Sequence, residues 1–455
     1  MPKKLGLPSA VAVCMGLIVA TSCLVSLGQG IGLSGSGFIL PLMVVMVLNG
    51  FVAMSFAELH QTMPRCNGGI GQYTYVGLGP WTSIVSNVSA YIIMMVFASA
   101  TEVTMCGGVL NSLFPAVNPI VFSLGILAAL FAINLFGVDI FAKVQLVTVG
   151  LLIFSMAALG VIGFFGLGAG TPVSAAEIAA NPPPIQGAAG LLGLSALAFY
   201  LFIGVEFVIP VANDMKNPKR NVLLAMLITL VILCAVQGML GMGMMRYVPL
   251  NVLRESGMPH MEFATNMLGN TGKIWMAVVS ALASISSINT ILPSTGKVLQ
   301  GMAEESLVPA FFKKTTKYNA AWPGMLLLFA IIAMMLITGY VNSTGLINML
   351  LAGSCFWLTS YILVHLTAIA LRRRYPNIKR NKWLMLGELP QIIGIIGCAY
   401  MIWNISSDPT DRMMIFKTFG ILLGLLAVYA AVWVGVVKKG KLFKPEYVGR
   451  MNIRK

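Results

Sequence analysis

Two glutamates in otherwise apolar surroundings pose the chemical question. Glu102 stands in "FASATEVTMC" and Glu206 in "FYLFIGVEFVIPVAND". An ionised acid at mid-bilayer costs roughly 2.5–3.5 kcal/mol or more, so one kept there has a task. No Lys or Arg stands at matching depth to neutralise either. Each is therefore held protonated, faces a water-filled cavity, or meets a cation brought by a ligand. The plain structural alternative for both is a protonated side chain bonded to backbone. Glu58, at the end of its apolar run, needs no such account.

The neighbours of these acids add to the pattern. Met94, Ala98, Thr101 and Glu102 follow at i, i+4, i+7 and i+8, on one face of a helix. Such a stripe of small residues is either a packing surface or the wall of a site. Pro210 follows Glu206 within about a turn and removes a backbone donor. Backbone freed in this way persists in a membrane only where it lines a cavity or meets protein or ligand. Half-helix ends carry partial charges that suit the carboxylate and ammonium of a small zwitterion. "SALASISSINTILPSTG" (Ser280–Gly296) offers hydroxyls that either coordinate Na⁺ or bond across helices, and the second is the preferred reading.

Other chemistries lack their residues. His60, His260 and His365 stand apart, and neither HExxH nor Gly-x-Ser-x-Gly occurs. The seven cysteines show neither metal-ligand spacing nor a disulfide framework. No enzyme, metal or cofactor is expected. A channel would need a continuous polar ring or repeated filter segments. Neither is found.

The elements that must position these residues are membrane helices. The 455 residues are 58% hydrophobic and 9% charged, where a soluble domain carries about 25% charged residues. Apolar stretches of about 20 residues recur along the chain, each enough to cross the hydrocarbon as a helix. Twelve spans are expected, near 8–28, 37–61, 81–112, 118–136, 143–167, 190–213, 220–245, 272–299, 323–340, 344–371, 387–404 and 413–437. The reading is all-α and polytopic, a single transmembrane domain over 1–455.

The net charge of +15 is spread over short loops, which argues against a nucleic-acid partner. With the N-terminus inside, all Lys and Arg except Arg246, Arg254, Lys273, Arg412 and Lys417 fall on the inner side. Both termini are thus expected in the cytoplasm, and short tails favour a bacterial inner membrane. The basic run after span ten (Arg372, Arg373, Arg374, Lys379, Arg380, Lys382) either binds anionic lipid or, by preference, only sets topology. Two outer segments, Gly166–Gly190 and Val248–Gly272, are lids or passive connectors, the second long enough for a short helix. "SLGQGIGLSGSGFILP" (Ser26–Pro41) reads as the outer end of span one and a flexible turn.

Four stretches give the chain a family resemblance. They are "LGLPSAVAVCMGL", "FAELHQTMPRCNGGIGQYTYVGLGP" (Phe56–Pro80), "FIGVEFVIPVANDMKNPKRNV" (Phe202–Val222) and "GMAEESLVPAFFKKTTKYNAAWPG" (Gly301–Gly324). In order and wording they resemble the amino acid–polyamine–organocation superfamily of secondary transporters. "FIGVE" and "KNPKRNV" are most similar to its arginine/agmatine exchangers. The resemblance implies a LeuT-like arrangement of two inverted five-helix repeats, about 8–167 and 190–371, with spans one and six broken. Two extra helices would lie at about 387–437. It implies that Ala20, Thr21, Ser22 and Cys23 hold the first break, and that Phe202, Ile203 and Gly204 line the second. Tyr200 would stand at a gating aromatic position, Met94, Ala98 and Thr101 on the substrate face, and Glu206 at the coupling acid.

Two departures from that pattern stand out. The family's first break reads "GSG", where bare amides meet a substrate carboxylate. Here Ala20-Thr21-Ser22 holds the place without either glycine. The lysine that some proton-coupled members carry in span five is also missing. The expected function is alternating-access transport of an amino acid or small amine, with a cationic substrate fitting the two acids. Coupling by exchange, by protons through Glu206 or Glu102, or by Na⁺ with a neutral amino acid stays open, as does monomer or homodimer.

Overall fold

In hydrocarbon each backbone group must be paired within the protein, and a helix does this inside one segment. The apolar runs accordingly form helices. The computed structural model describes residues 6–64, 66, 69–136, 139–340, 346–378 and 386–449, and no strand occurs among them. Seven described helices are long and apolar enough to cross a membrane, eight if the bent pair Gly187–Gly193 and Ser195–Ile209 counts as one span. The molecule is an integral, multi-pass membrane protein. Three stretches expected as spans contain shorter apolar helices, Pro119–Asn134, Trp322–Ile337 and Leu389–Trp403.

The chain opens with α1 (Leu7–Ile18), started by a proline in its first turn, where a missing N–H costs nothing. Val19 and Ala20 are extended, and a new helix α2 (Thr21–Ser34) follows. A 3₁₀ turn at Gly35–Phe38 leads to α3 (Ile39–Thr62). Next come α4 (Gly69–Leu78) and α5 (Pro80–Val88), which passes through a π turn at Ser89–Ile93 into α6 (Met94–Leu113). Then follow α7 (Pro119–Asn134) and α8 (Asp139–Phe165). Short helices α9 (Ala175–Ala180), α10 (Gly187–Gly193) and α11 (Ser195–Tyr200) precede a turn and a ten-residue 3₁₀ segment, Val205–Asp214. The second half has α12 (Pro218–Tyr247), α13 (Leu250–Glu255) and α14 (Pro259–Glu304), the last leaving helical geometry at Gly269. It closes with α15 (Trp322–Ile337), α16 (Leu346–Arg374), α17 (Leu389–Trp403) and α18 (Pro409–Val432).

α12 packs against α8, α3 and α1, while α14 packs against α6, α2, α7 and α8. The junction of α1 and α2 lies inside this frame, beside α6, α11 and α14. That is the position a site between helices needs.

The glycine-rich stretch differs from its expectation. α2 runs through to Ser34, and Gly28, Gly30 and Gly32 are packing contacts within it. A Cβ at Gly32 would collide with the backbone of Arg254 in α13. Only Gly35–Phe38 is a turn. Glycine serves here for close approach of two helices rather than for flexibility.

The connector between α8 and α11, expected to be a lid or a passive link, is fastened. In the Gly166–Gly190 segment, Gly170 N–H donates to the Met267 carbonyl, Val173 N–H to Arg246 and Ile185 N–H to Leu33. Ser174 and Glu177 form a capping box that starts α9. The Ser174 N–H and hydroxyl hold the Glu177 carboxyl below its ordinary range.

The three arginines in the last turn of α16 all bond within the protein. Arg372 pairs with buried Glu58 through Nε to Oε1 at 3.0 Å and Nη2 to Oε2 at 2.6 Å, and Gln391 donates to Oε2. Arg373 pairs with Glu388, and Arg374 donates to the carbonyls of Val76 and Gly77. Glu58 thus joins α3, α16 and α17, a role the sequence reading did not give it. Lys379, Arg380 and Lys382 lie outside the described residues, as do Lys3, Lys4, Arg65, Arg450, Arg454, Lys455 and the side chains of Lys143 and Pro210.

Past α18 the chain folds back over the end of the molecule that holds α4. Trp433 Nε1 donates to the Ser306 carbonyl, and Lys438 Nζ to the Tyr75 hydroxyl and Glu305 carbonyl. The Trp81 N–H donates to the Leu442 carbonyl at 3.1 Å.

Candidate functional site

The first amides of a helix have no partner in the helix itself. At α2 the residue before the first turn is Ala20, whose side chain cannot cap. The cap comes instead from α6. Thr21 N–H donates to Glu102 Oε2 at 3.1 Å and Ser22 N–H to Oε1 at 2.9 Å. The Ser284 hydroxyl of α14 lies 2.8 Å from Oε2 and 3.0 Å from the Thr21 hydroxyl, which donates to the Ser280 carbonyl. Glu102, 1% exposed, thereby ties α6 to α2 and α14. The positive end of the α2 dipole supplies the compensation that no Lys or Arg provides.

A cavity of about 40 Å³ lies against this carboxylate. Of the residues expected to bind substrate, Ala20, Cys23, Met94, Ala98, Glu102, Tyr200 and Ile203 line it. Thr21 and Ser22 meet Glu102 through their amides, and the Ser22 hydroxyl bonds Tyr200 Oη at 2.7 Å. Thr101 does not line the cavity, and its hydroxyl donates to the Phe97 carbonyl in its own helix. Phe202 is fully buried away from it. Gly204 has φ of 109°, a conformation that a side chain strains, and it turns the chain into the 3₁₀ segment. Ile18, Met95, Ser287 and Ile291 complete the lining and were not singled out beforehand. Ser287 belongs to the hydroxyl-rich stretch, so its signal was visible. Ile18, Met95 and Ile291 carry no mark that separates them from other apolar positions.

Glu206 stands apart from this cavity. Its Oε2 accepts from the Tyr361 hydroxyl of α16 at 2.7 Å, and its Oε1 has no partner among the described residues. Tyr361 belongs to an aromatic cluster with Phe56, Phe199 and Trp357. Trp357 stacks on Phe207, and Tyr91 meets both edge-on. Phe207 and Tyr91 in turn line a second cavity of about 210 Å³, with Asn87, Lys297 and Glu305. Glu206 therefore lies in sequence between Ile203 on the small cavity and Phe207 on the large one. Tyr361 and Trp357 were missed because aromatic residues in an apolar run carry no polar signature.

Of the other polar groups of Ser280–Gly296, Asn289 and Thr295 reach across helices, while the Thr290 hydroxyl donates to the Ser286 carbonyl of its own helix. Asn134 Nδ2 donates to Asn289 Oδ1 at 2.7 Å, and the Thr295 hydroxyl to the Tyr91 carbonyl. His365 Nδ1 bonds the Ser55 hydroxyl at 2.9 Å. Among the described residues no three His, Cys, Asp or Glu side chains come together to hold a metal ion.

Comparison with known proteins agrees with this architecture. A family model described as amino acid permease matches residues 5–439. The inner membrane transport protein YbaT of Escherichia coli is 22% identical, covering 93% of this chain and 95% of its own. The branched-chain amino acid permease BcaP of Bacillus subtilis is 22% identical over 94% of this chain and 93% of its own. The putrescine transporter PotE of Escherichia coli is 23% identical over 84% and 85%. Among solved structures, a manganese transporter variant from Eremococcus coleocola superposes with a TM-score of 0.62 at 14% identity, covering 94% of each chain. That last likeness speaks for the fold.

Proposed function

The chain belongs to the amino acid permease family, and from that premise we propose that it moves an amino acid or small organic amine by alternating access. On this reading it is a secondary active transporter of the cell inner membrane with both termini in the cytoplasm. Its twelve spans form two inverted five-helix repeats, about 8–167 and 190–371, and two further helices at about 387–437. Spans one and six are the broken ones, at Val19–Ala20 and around Gly204. The relatives include carriers named for branched-chain amino acids and for putrescine, so the family spans both substrate classes.

One observation carries the reading. The cavity at the junction of α1 and α2 is walled by Glu102 and by residues of α6, α11 and α14, with no cationic side chain on it. The C-terminal end of α1 adds the negative end of a helix dipole. Such a site favours a positively charged substrate. Glu206, hydrogen-bonded to Tyr361, is the coupling acid, and the Tyr91–Phe207–Trp357 cluster is the inner gate. Transport then proceeds by exchange or with protons. The Na⁺ alternative draws no support from Ser284 and Thr21, whose hydroxyls are turned to Glu102 and the Ser280 carbonyl.

Uptake of labelled putrescine and labelled leucine into proteoliposomes, empty or preloaded with the same compound, tests this. Uptake of at least one of them is expected, with preloading accelerating it if exchange is the mode. If a broad panel of amines and amino acids, these two included, shows no uptake above empty liposomes, the proposal fails. Unchanged uptake on preloading removes exchange and leaves proton coupling.

A further inference from the structure

The N-terminus of a helix is an anion site, because its free amides and its dipole both favour negative charge. At α2 that site faces the small cavity, but it is already filled. Both oxygens of Glu102 are committed to it, Oε1 to Ser22 N–H and Oε2 to Thr21 N–H, with the Ser284 hydroxyl also on Oε2. A ligand carboxylate brought to this end would find the two amides taken and a like charge beside it. Like charges in a desolvated site discriminate strongly against the wrong partner.

What remains free in the cavity points the other way. Ser287, 2% exposed, lines it with a hydroxyl that has no hydrogen-bond partner among the described residues. An ionised carboxylate offers about four acceptor positions, and Glu102 has three donors near it, so one is left over. Met94, Ile203 and Ile291 make the rest of the wall apolar.

We infer that Glu102 is the specificity-determining residue of the site. It supplies from within the protein the carboxylate that an amino acid would bring. The substrate is accordingly a primary amine with no carboxylate on the carbon that bears the nitrogen. Its ammonium bonds Glu102 and the Ser287 hydroxyl, and its body lies against the apolar wall. The inference rests on the transport reading above and narrows it.

The test compares each amino acid with its own decarboxylated amine, so that the carboxylate is the only difference. Suitable pairs are leucine with isopentylamine, valine with isobutylamine, and phenylalanine with phenethylamine, in which the amino acid has no second ammonium to offer. Thermal shift of the purified full chain and competition against labelled uptake both report binding. In at least one pair the amine is expected to bind at least about tenfold tighter than its amino acid. Glu102→Ala, which frees the Thr21 and Ser22 amides, is expected to shift that ratio toward the amino acid by about tenfold or more. The wild-type comparison stands even if that variant does not fold. If the amino acid of every pair that binds equals or exceeds its amine in the wild-type protein, the inference is overturned while the transport reading stands. If neither amines nor amino acids bind or enter, both are overturned.

Discussion

At the scale of single residues, the two buried acids have different surroundings despite their similar appearance in sequence. Glu102 is held by backbone amides and a hydroxyl, while Glu206 accepts from the Tyr361 hydroxyl, with the Trp357 indole and its own backbone amide beside it and no hydrogen bond to Oε1 among the described residues. A group with few fixed donors is the one that can exchange a proton as its surroundings change, since less must be broken. Glu206→Gln is therefore expected to abolish the dependence of uptake on an imposed proton gradient while uptake itself persists. Tyr361→Phe removes the donor and should alter the pH profile of uptake with little effect on substrate affinity. Uptake by Glu206→Gln liposomes that still follows the gradient would show that the proton binds elsewhere. Sequence showed that both acids were unusual, because a deep Glu is costly wherever it lies. It did not show their partners. The cap on α2 is made by residues 81 positions apart, and no local pattern encodes such a meeting.

At the scale of elements, long apolar helices were legible because hydropathy alone decides them. α12 runs over Pro218–Tyr247, and a span was expected near 220–245. What sequence missed were the places where helices touch. Gly30 and Gly32 fell in the expected turn, yet they lie in α2 and let it approach the Phe38 ring and α13, as Gly28 lets it approach Pro259 of α14. Composition registers glycine's freedom, and only the partner across the gap reveals its smallness. The same holds for Glu58, whose value lies in Arg372, 314 residues away. That pair ties α3 to α16 with bidentate geometry, and the Glu58 side chain is 2% exposed. Removing one member leaves a buried charge, which costs about 3–5 kcal/mol, whereas apolar replacement of both is near neutral. Glu58→Ala is expected to lower the melting temperature in detergent clearly, and Glu58→Met with Arg372→Leu to recover much of it. Equal losses for the single and double variants would mean that the pair contributes by packing rather than charge.

At the scale of the whole molecule, the described helices pack as a frame around one junction. α12 with α8 and α3, and α16 with α17, pack extensively around the α1–α2 junction. Gly32 lies close against Arg254, and backbone bonds to Met267, Arg246 and Leu33 fasten the 166–190 segment. The larger cavity at the opposite end is bordered by Lys297 and Glu305, and it lies beneath the returning chain after α18. That returning stretch has a practical use. It touches α4 through Tyr75, α5 through Trp81 and the end of α14 through Glu305, so it spans the rim of the larger cavity. Lys441 is exposed, while the seven native cysteines are buried or half-buried. A Lys441→Cys variant carrying an environment-sensitive dye is thus an optical gauge of the rim. Its emission should change when a transported amine is added and return when the amine is removed. A constant signal would detach the stretch from rim motion. The same geometry warns the protein engineer, for a bulky fusion joined at this end hangs its weight on the door it is meant to report.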